Sequence, residues 1–244
     1  MGVYALLRAG NIPSFNIIGT LCSVAIVTGT WLIHDGPAGH RLRLDWAALS
    51  LFACIVAVFA RMLFQRGNPR PIETMAGTLM GLLYVGFLMS FYLRLAIAWG
   101  RAGRWLVVYP IVVVKVADIA AYFFGCRFGR HKLFPRISPA KSWEGVFAGI
   151  AAAFAVSLAF VAVLGGELGP VRLRWLDAAI LGIVLPVVGL FGDLLESMMK
   201  RAAGVKDSGT WIAGMGGVLD VIDSLLPAAP VLYFYARLLL APAP

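Results

Sequence analysis

Residues Gly192–Ser224 read GDLLESMMKRAAGVKDSGTWIAGMGGVLDVIDS, and they gather charge in a chain that otherwise has little of it. Asp193, Glu196, Asp207, Asp220 and Asp223 stand beside Lys200, Arg201 and Lys206, although only 14% of the 244 residues are charged. The flanking sequence is apolar on both sides, and its length predicts helices over 176–200 and 217–240. Asp193 and Glu196 are three residues apart, as are Asp220 and Asp223, so each pair puts two carboxylates on one helix face. A charge deep in a membrane helix costs roughly 2.5 to 3.5 kcal/mol on insertion scales, so such a cluster normally faces a cavity and acts there.

Outward from this stretch the chain is 61% hydrophobic, with a mean hydropathy of +0.87. That excludes a soluble domain and predicts an all-α, polytopic integral membrane protein. A bilayer core of ~30 Å takes about 20 apolar residues at ~1.5 Å rise each. Windows of that kind fall at 14–33, 46–64, 73–93, 104–125, 143–164, 176–200 and 217–240, about seven transmembrane helices. Turn residues separate several of them: Asp35-Gly36-Pro37, Gly67-Asn68-Pro69, Gly165-Gly166. No intramembrane acid falls in 1–72, which reads as a scaffold of N-terminal helices; 73–244 reads as the catalytic region of the same membrane domain. Cys22, Cys54 and Cys126 are scattered and read as packing residues. The opening MGVYALLRAG lacks a cleavable signal pattern and Leu6 spoils a myristoylation motif, so the first helix is expected in the mature protein. The net charge of +9 comes without an aromatic-interleaved basic face, so no nucleic-acid partner is expected. Basic loops beside a bilayer have a simpler cause in the positive-inside rule and anionic headgroups.

Seven spans put alternate loops on opposite sides. The side of the N-terminus holds the larger share of Lys and Arg, which predicts that it is cytoplasmic. Asp118 near the end of the fourth helix, Glu144 at the start of the fifth, Asp193 and Glu196 on the sixth, and Asp220 and Asp223 on the seventh all fall toward that side. The active site is therefore expected at the cytoplasmic side of the C-terminal half, in the inner (plasma) membrane of a cell.

Paired carboxylates beside cations suit an enzyme that holds a divalent metal and a polyphosphate together. Magnesium prefers one or two carboxylates plus substrate phosphate, which Asp193 and Asp220 on facing helices could supply. Lys200, Arg201 and Lys206 could take phosphate oxygens. A plainer reading is a helix-end ion network, with Glu196 paired to Lys200 at i, i+4. Gly214, Gly216 and Gly217 precede a helix start, where backbone N–H groups can approach a phosphate. A second constellation, Asp118 to Gly145, reads DIAAYFFGCRFGRHKLFPRISPAKSWEG. In it Lys115 and Asp118, one turn apart, can neutralise each other, and Lys141, Ser142 and Glu144 follow a basic loop.

Ser197, Lys200, Arg201, Lys206 and Asp207, then Gly214, Gly216 and Gly217, then Asp220 and Asp223, together resemble the signature of the phosphatidate cytidylyltransferases, or CDP-diacylglycerol synthases. The segment from Asp118 through Arg136-Ile137-Ser138-Pro139 to Lys141-Ser142-Trp143-Glu144-Gly145 is similar to that family as well. The resemblance implies a nucleotidyltransferase that joins CTP to phosphatidic acid, giving CDP-diacylglycerol and pyrophosphate for phospholipid biosynthesis. It implies Asp193, Asp220 and Asp223 as ligands of Mg2+, with room for a second cation. Asp207 and Lys206 join them as catalytic residues. Lys200, Arg201, Ser197, Asp118, Lys141, Ser142, Glu144, Gly214, Gly216 and Gly217 would bind substrate. The partners implied are CTP, phosphatidic acid and the lipid bilayer, with a homodimer open. Ala213, Met215 and Val221 stand where the family has proline, histidine and arginine. A CTP-dependent polyprenol or phytol-type lipid kinase, a cation transporter and an inactive relative remain alternatives.

Overall fold

The computed structural model describes residues 2–34, 46–99, 103–168, 171–205 and 217–242. Helices dominate: α1 (Val3–Ala9), α2 (Asn16–His34), α3 (Trp46–Phe64), α4 (Pro71–Ala98, with a π-helical turn over Leu82–Phe87), α5 (Gly103–Phe128), α6 (Trp143–Leu164), α7 (Trp175–Ala202), α8 (Val218–Ile222) and α9 (Leu225–Leu238). Two short sheets complete the chain, a hairpin of β1 (Lys132–Phe134) and β2 (Ser138–Ser142), and a three-stranded patch of β3 (Glu167–Leu168), β4 (Val171–Arg172) and β5 (Ala241–Pro242).

Five described segments are long and apolar enough to cross a membrane: Pro71–Ala98, Gly103–Phe128, Trp143–Leu164, Trp175–Ala202 and Val218–Leu238. Asn16–Trp31 and Ala48–Phe64 are apolar but shorter. Their outer faces carry exposed Leu63, Phe64, Val163, Phe191 and Leu238, the surface a hydrocarbon solvent accepts and water does not. The protein is an all-α polytopic membrane protein.

Compactness groups the helices into two units, Met1–Ile97 with Met199–Val221, and Ala98–Met198 with Ile222–Pro244. In the first, Cys22, Ile26, Cys54 and Leu82 form a buried cluster. The Cys54 thiol points to the Cys22 carbonyl at 3.8 Å, so two of the three cysteines pack as their apolar setting predicts. The Tyr4 hydroxyl donates to the Thr78 carbonyl at 2.9 Å, tying α1 to α4. Burial pushes the Tyr4 phenol up to about 12.

In the second unit, α5 and α6 approach through small residues. A methyl added at Gly145 would lie 2.7 Å from the Ala121 carbonyl, and one at Gly149 2.8 Å from that of Ala117. Backbones meet this closely in membranes because lipid chains give apolar side chains no reason to prefer one another. Tyr109 on α5 meets the Ser157 hydroxyl at 2.6 Å, and Ser157 donates to the Ala178 carbonyl at 2.5 Å, which fastens α7 to both.

One expected helix is broken. The apolar window predicts a continuous helix over 217–240, yet α8 ends at Ile222 and α9 begins at Leu225. Pro227 has no N–H to give the Asp223 carbonyl four residues back, and its ring crowds that position. Asp223 Oδ1 meanwhile accepts the Ser224 N–H at 2.6 Å, a local bond that competes with the helical ladder. Helix α7 accommodates the freed carbonyl: a Cβ at Gly192 would collide with the Asp223 oxygen.

Candidate active site

The break in the last span aims a carboxylate at its neighbour. Asp193 and Glu196 lie one turn apart on α7, and the close approach at Gly192 brings Asp223 to them. Asp193, Glu196 and Asp223 each offer an oxygen, and these oxygens lie within 4.8 Å of one another. Glu196 is 0% and Asp223 5% exposed, and Asp193 is half-buried. Lys141, at the end of β2, sets its ammonium 2.5 Å from Asp193 Oδ2. The Ser197 hydroxyl reaches Asp193 Oδ1 at 3.4 Å.

A polar triangle lies beside Asp223 in the chain. The Lys115 ammonium contacts Asp118 Oδ2 at 3.1 Å and the Ser224 hydroxyl at 2.9 Å, and that hydroxyl donates to Asp118 Oδ2 at 2.9 Å. Asp118 thus sits with Lys115 as their spacing allows, and the pair also grips the residue after Asp223. At the start of α6, Ser142 is the N-cap, its hydroxyl accepting the Gly145 N–H at 3.3 Å. Glu144 accepts from the His131 backbone at 3.2 Å and meets its Nδ1 at 2.6 Å, which clamps the hairpin onto the helix.

In the other unit, Lys200 pairs with Asp220 Oδ1 at 2.7 Å. The Gly217 N–H donates to Asp220 Oδ2 at 2.5 Å, so Asp220 also closes the first turn of α8. Arg201 is exposed at the end of α7. Lys206, Asp207, Gly214 and Gly216 lie outside the described residues, together with Ala213 and Met215.

Three oxygens so placed suit the chemistry of a divalent cation, a hard ion that takes oxygen ligands and offsets the repulsion among the acids. Comparison with known proteins decides the class. A model of the cytidylyltransferase family matches residues 14–239. The chain belongs to the cytidylyltransferase family. It is a nucleotidyltransferase embedded in a membrane. Among curated relatives, the phosphatidate cytidylyltransferase of Haemophilus influenzae is 44% identical over 134 residues, 54% of this chain and 46% of that protein. That of Brucella suis is 37% identical over 87% of this chain and 73% of its own length. That of Thermotoga maritima is 34% identical over 76% and 67%.

Within this cytidylyltransferase, four contacts escape a reading of the sequence. Glu196 converges with Asp193 and Asp223, because the partner comes from a distant helix start while spacing points only to Lys200. Lys141 meets Asp193 across a long sequence gap that leaves no local signal. Ser224 joins Asp118 only because α9 restarts there, and Pro227 was its signal. His131 meets Glu144 across a 13-residue separation that carries no helical signal.

Proposed function

We propose that this cytidylyltransferase joins CTP to phosphatidic acid in the bilayer, releasing pyrophosphate and leaving CDP-diacylglycerol. The convergence of Asp193, Glu196 and Asp223 against Lys141 carries the reading, and the phosphatidate cytidylyltransferases of Haemophilus, Brucella and Thermotoga support the choice of substrates. A phosphate monoester is already largely ionised near neutral pH, so its oxygen attacks the α-phosphorus of CTP without a strong base. The new P–O bond forms as the bond to the bridging oxygen breaks, and pyrophosphate leaves with that electron pair. What the site must supply is position and charge compensation, as in other phosphoryl transfers.

Asp193, Glu196 and Asp223 are the residues that would hold Mg2+, which when bound neutralises charge on phosphate oxygens. Asp193 and Asp223 are common to this set and to the one the resemblance implies. Asp220 keeps the Lys200 ammonium in place and caps α8. Through the resemblance, Lys200, Arg201 and Lys206 would hold nucleotide phosphates, Asp207 would complete or orient the metal shell, and Gly214, Gly216 and Gly217 would let backbone N–H groups approach. Ser142 and Glu144 fix the hairpin that presents Lys141, and Asp118 steadies the restart of α9. The site faces the cytoplasm of the inner membrane, where CTP and Mg2+ are supplied, consistent with the larger basic count on that side.

The test is purified protein with phosphatidic acid, Mg2+ and CTP labelled at the α-phosphate. Label is expected in the extracted lipid, with pyrophosphate released. Lipid label obtained with γ-labelled CTP, and none with α-labelled CTP, would show a kinase and overturn the assignment.

A further inference from the structure

Lys141 is a long cationic side chain set on the most exposed member of a carboxylate cluster, and its neighbours in sequence are all fixed. Ser142 is buried and caps α6, the β1–β2 pairing places Ser142 opposite Lys132, and Glu144 is held by His131. The ammonium that projects from this frame lies 2.5 Å from Asp193 Oδ2, with the lysine side chain only 18% exposed. Asp193 Oδ1 meanwhile faces the Ser197 hydroxyl.

We propose that Lys141 is a displaceable counter-ion that couples cation binding to nucleotide binding. The inference rests on the reading of Asp193, Glu196 and Asp223 as the cation site. A divalent cation that takes Asp193 competes with an ammonium already in contact with it, so the cation alone binds against the lysine. A polyphosphate arriving with the cation offers that ammonium new oxygens within reach of its flexible stem. Lys141 then leaves the carboxylate for the phosphate. Each ligand strengthens the other by the same factor, as linkage requires. Lys141 therefore opposes the cation and favours the nucleotide, two effects of opposite sign from one side chain.

The experiment uses the full chain in detergent, without phosphatidic acid so that no turnover occurs. Affinity for Mn2+ alone is read from the electron paramagnetic resonance signal of the free ion, and binding of labelled CTP is read at saturating Mn2+. For Lys141→Met, Mn2+ affinity is expected to rise and CTP affinity to fall, each on the order of tenfold, within the usual range of coupling energies. Lys141→Arg keeps the charge and should hold Mn2+ near the parent affinity. A Lys141→Met protein that binds Mn2+ no tighter than the parent, or loses both ligands together, overturns the proposal and leaves the lysine a structural anchor. Asp193→Asn in the Lys141→Met background separates the two failures. Loss of the gained Mn2+ affinity places that gain at the cluster and supports the coupling. Unchanged Mn2+ binding removes the cation site itself, and this inference with it.

Discussion

The two ends of the α7 stretch each present a buried carboxylate, and they are built in opposite ways. At the start, Asp177 is 2% exposed and fully matched. Arg174 reaches it with Nε at 2.9 Å, Nη2 at 3.2 Å and its backbone N–H at 3.0 Å, and Tyr235 donates its hydroxyl at 3.0 Å. The position, in the first turn, also suits a negative charge. The Asp177 partnership in turn holds the Arg174 guanidinium above its ordinary value. Further along, Asp193 and Glu196 are like charges one turn apart, an arrangement unfavourable by a few tenths of a kcal/mol even on an isolated helix. A third acid, Asp223, is added to them. Burial alone therefore does not mark a functional acid. Repulsion kept in place does, since folding gains nothing from assembling it and a bound cation does.

The comparison breaks most visibly if both ends behave alike on substitution. Asp193→Asn and Asp223→Asn should each lower turnover on the order of a thousandfold; Asp223→Asn should leave the melting temperature unchanged or raised, since it removes a repulsion along with a ligand, whereas Asp193→Asn also leaves the Lys141 ammonium unmatched and should lower it slightly. Steady-state rates and thermal unfolding in detergent check this; activity within tenfold of the parent for either variant would return the cluster to a structural role. Next in size is Glu196→Gln, expected to cost roughly 10²-fold in kcat. Were Glu196 merely a partner for Lys200, the loss would be small. The companion Asp220→Asn should act through the Lys200 pair and the α8 cap, so its defect should appear in stability as well as rate.

Much of this was legible from the sequence, and what was not has a common cause. Spans depend on apolar length, which is local, and α6 follows its expected 143–164 window closely. The break before α9 was not legible because proline is an ambiguous signal here. Pro110, Pro186 and Pro230 sit inside helices, whereas Pro227 coincides with an Asp223 side chain ready to take the next N–H. The π-helical turn of α4 is likewise invisible to hydropathy. In the site, the acids themselves were evident from their cost in an apolar chain. Their sorting was not: Lys200 meets Asp220, a partner on another helix that no local spacing announces.

Gly192→Ala tests the geometry that separates the two ends. The added methyl would collide with the Asp223 carbonyl and the Pro227 ring. Both contacts are rigid, so α7 and the start of α9 must part. Overpacking of this kind costs about 1 to 3 kcal/mol, and a shift near 1 Å between catalytic groups can cost ~10²-fold in rate. Turnover should fall by roughly tenfold or more, and the affinity for Mn2+ should fall with it. Unimpaired Mn2+ binding would show that the close approach does not assemble the cluster.

The smallest effect on chemistry is expected at the matched end. Asp177→Asn retains the shape of the side chain and one acceptor for Tyr235, but Arg174 loses its anion and the helix loses a charge in its first turn. Hydrogen bonds to charged groups contribute about 1.5 to 3 kcal/mol each in stability studies, and Arg174 is largely exposed, with a side chain 63% accessible, so solvent should discount its share. A loss of about 1 to 2 kcal/mol in unfolding free energy is expected, most of it from the buried carboxylate and Tyr235. Activity per folded molecule should stay within twofold of the parent, because nothing at Asp177 touches the reacting phosphates. Tyr235→Phe should give a fraction of the same loss and no change in the Mg2+ dependence of the rate. A shift in that dependence for either variant would mean that the two ends of α7 are energetically linked, and the contrast between a structural and a functional carboxylate on one helix would have to be given up.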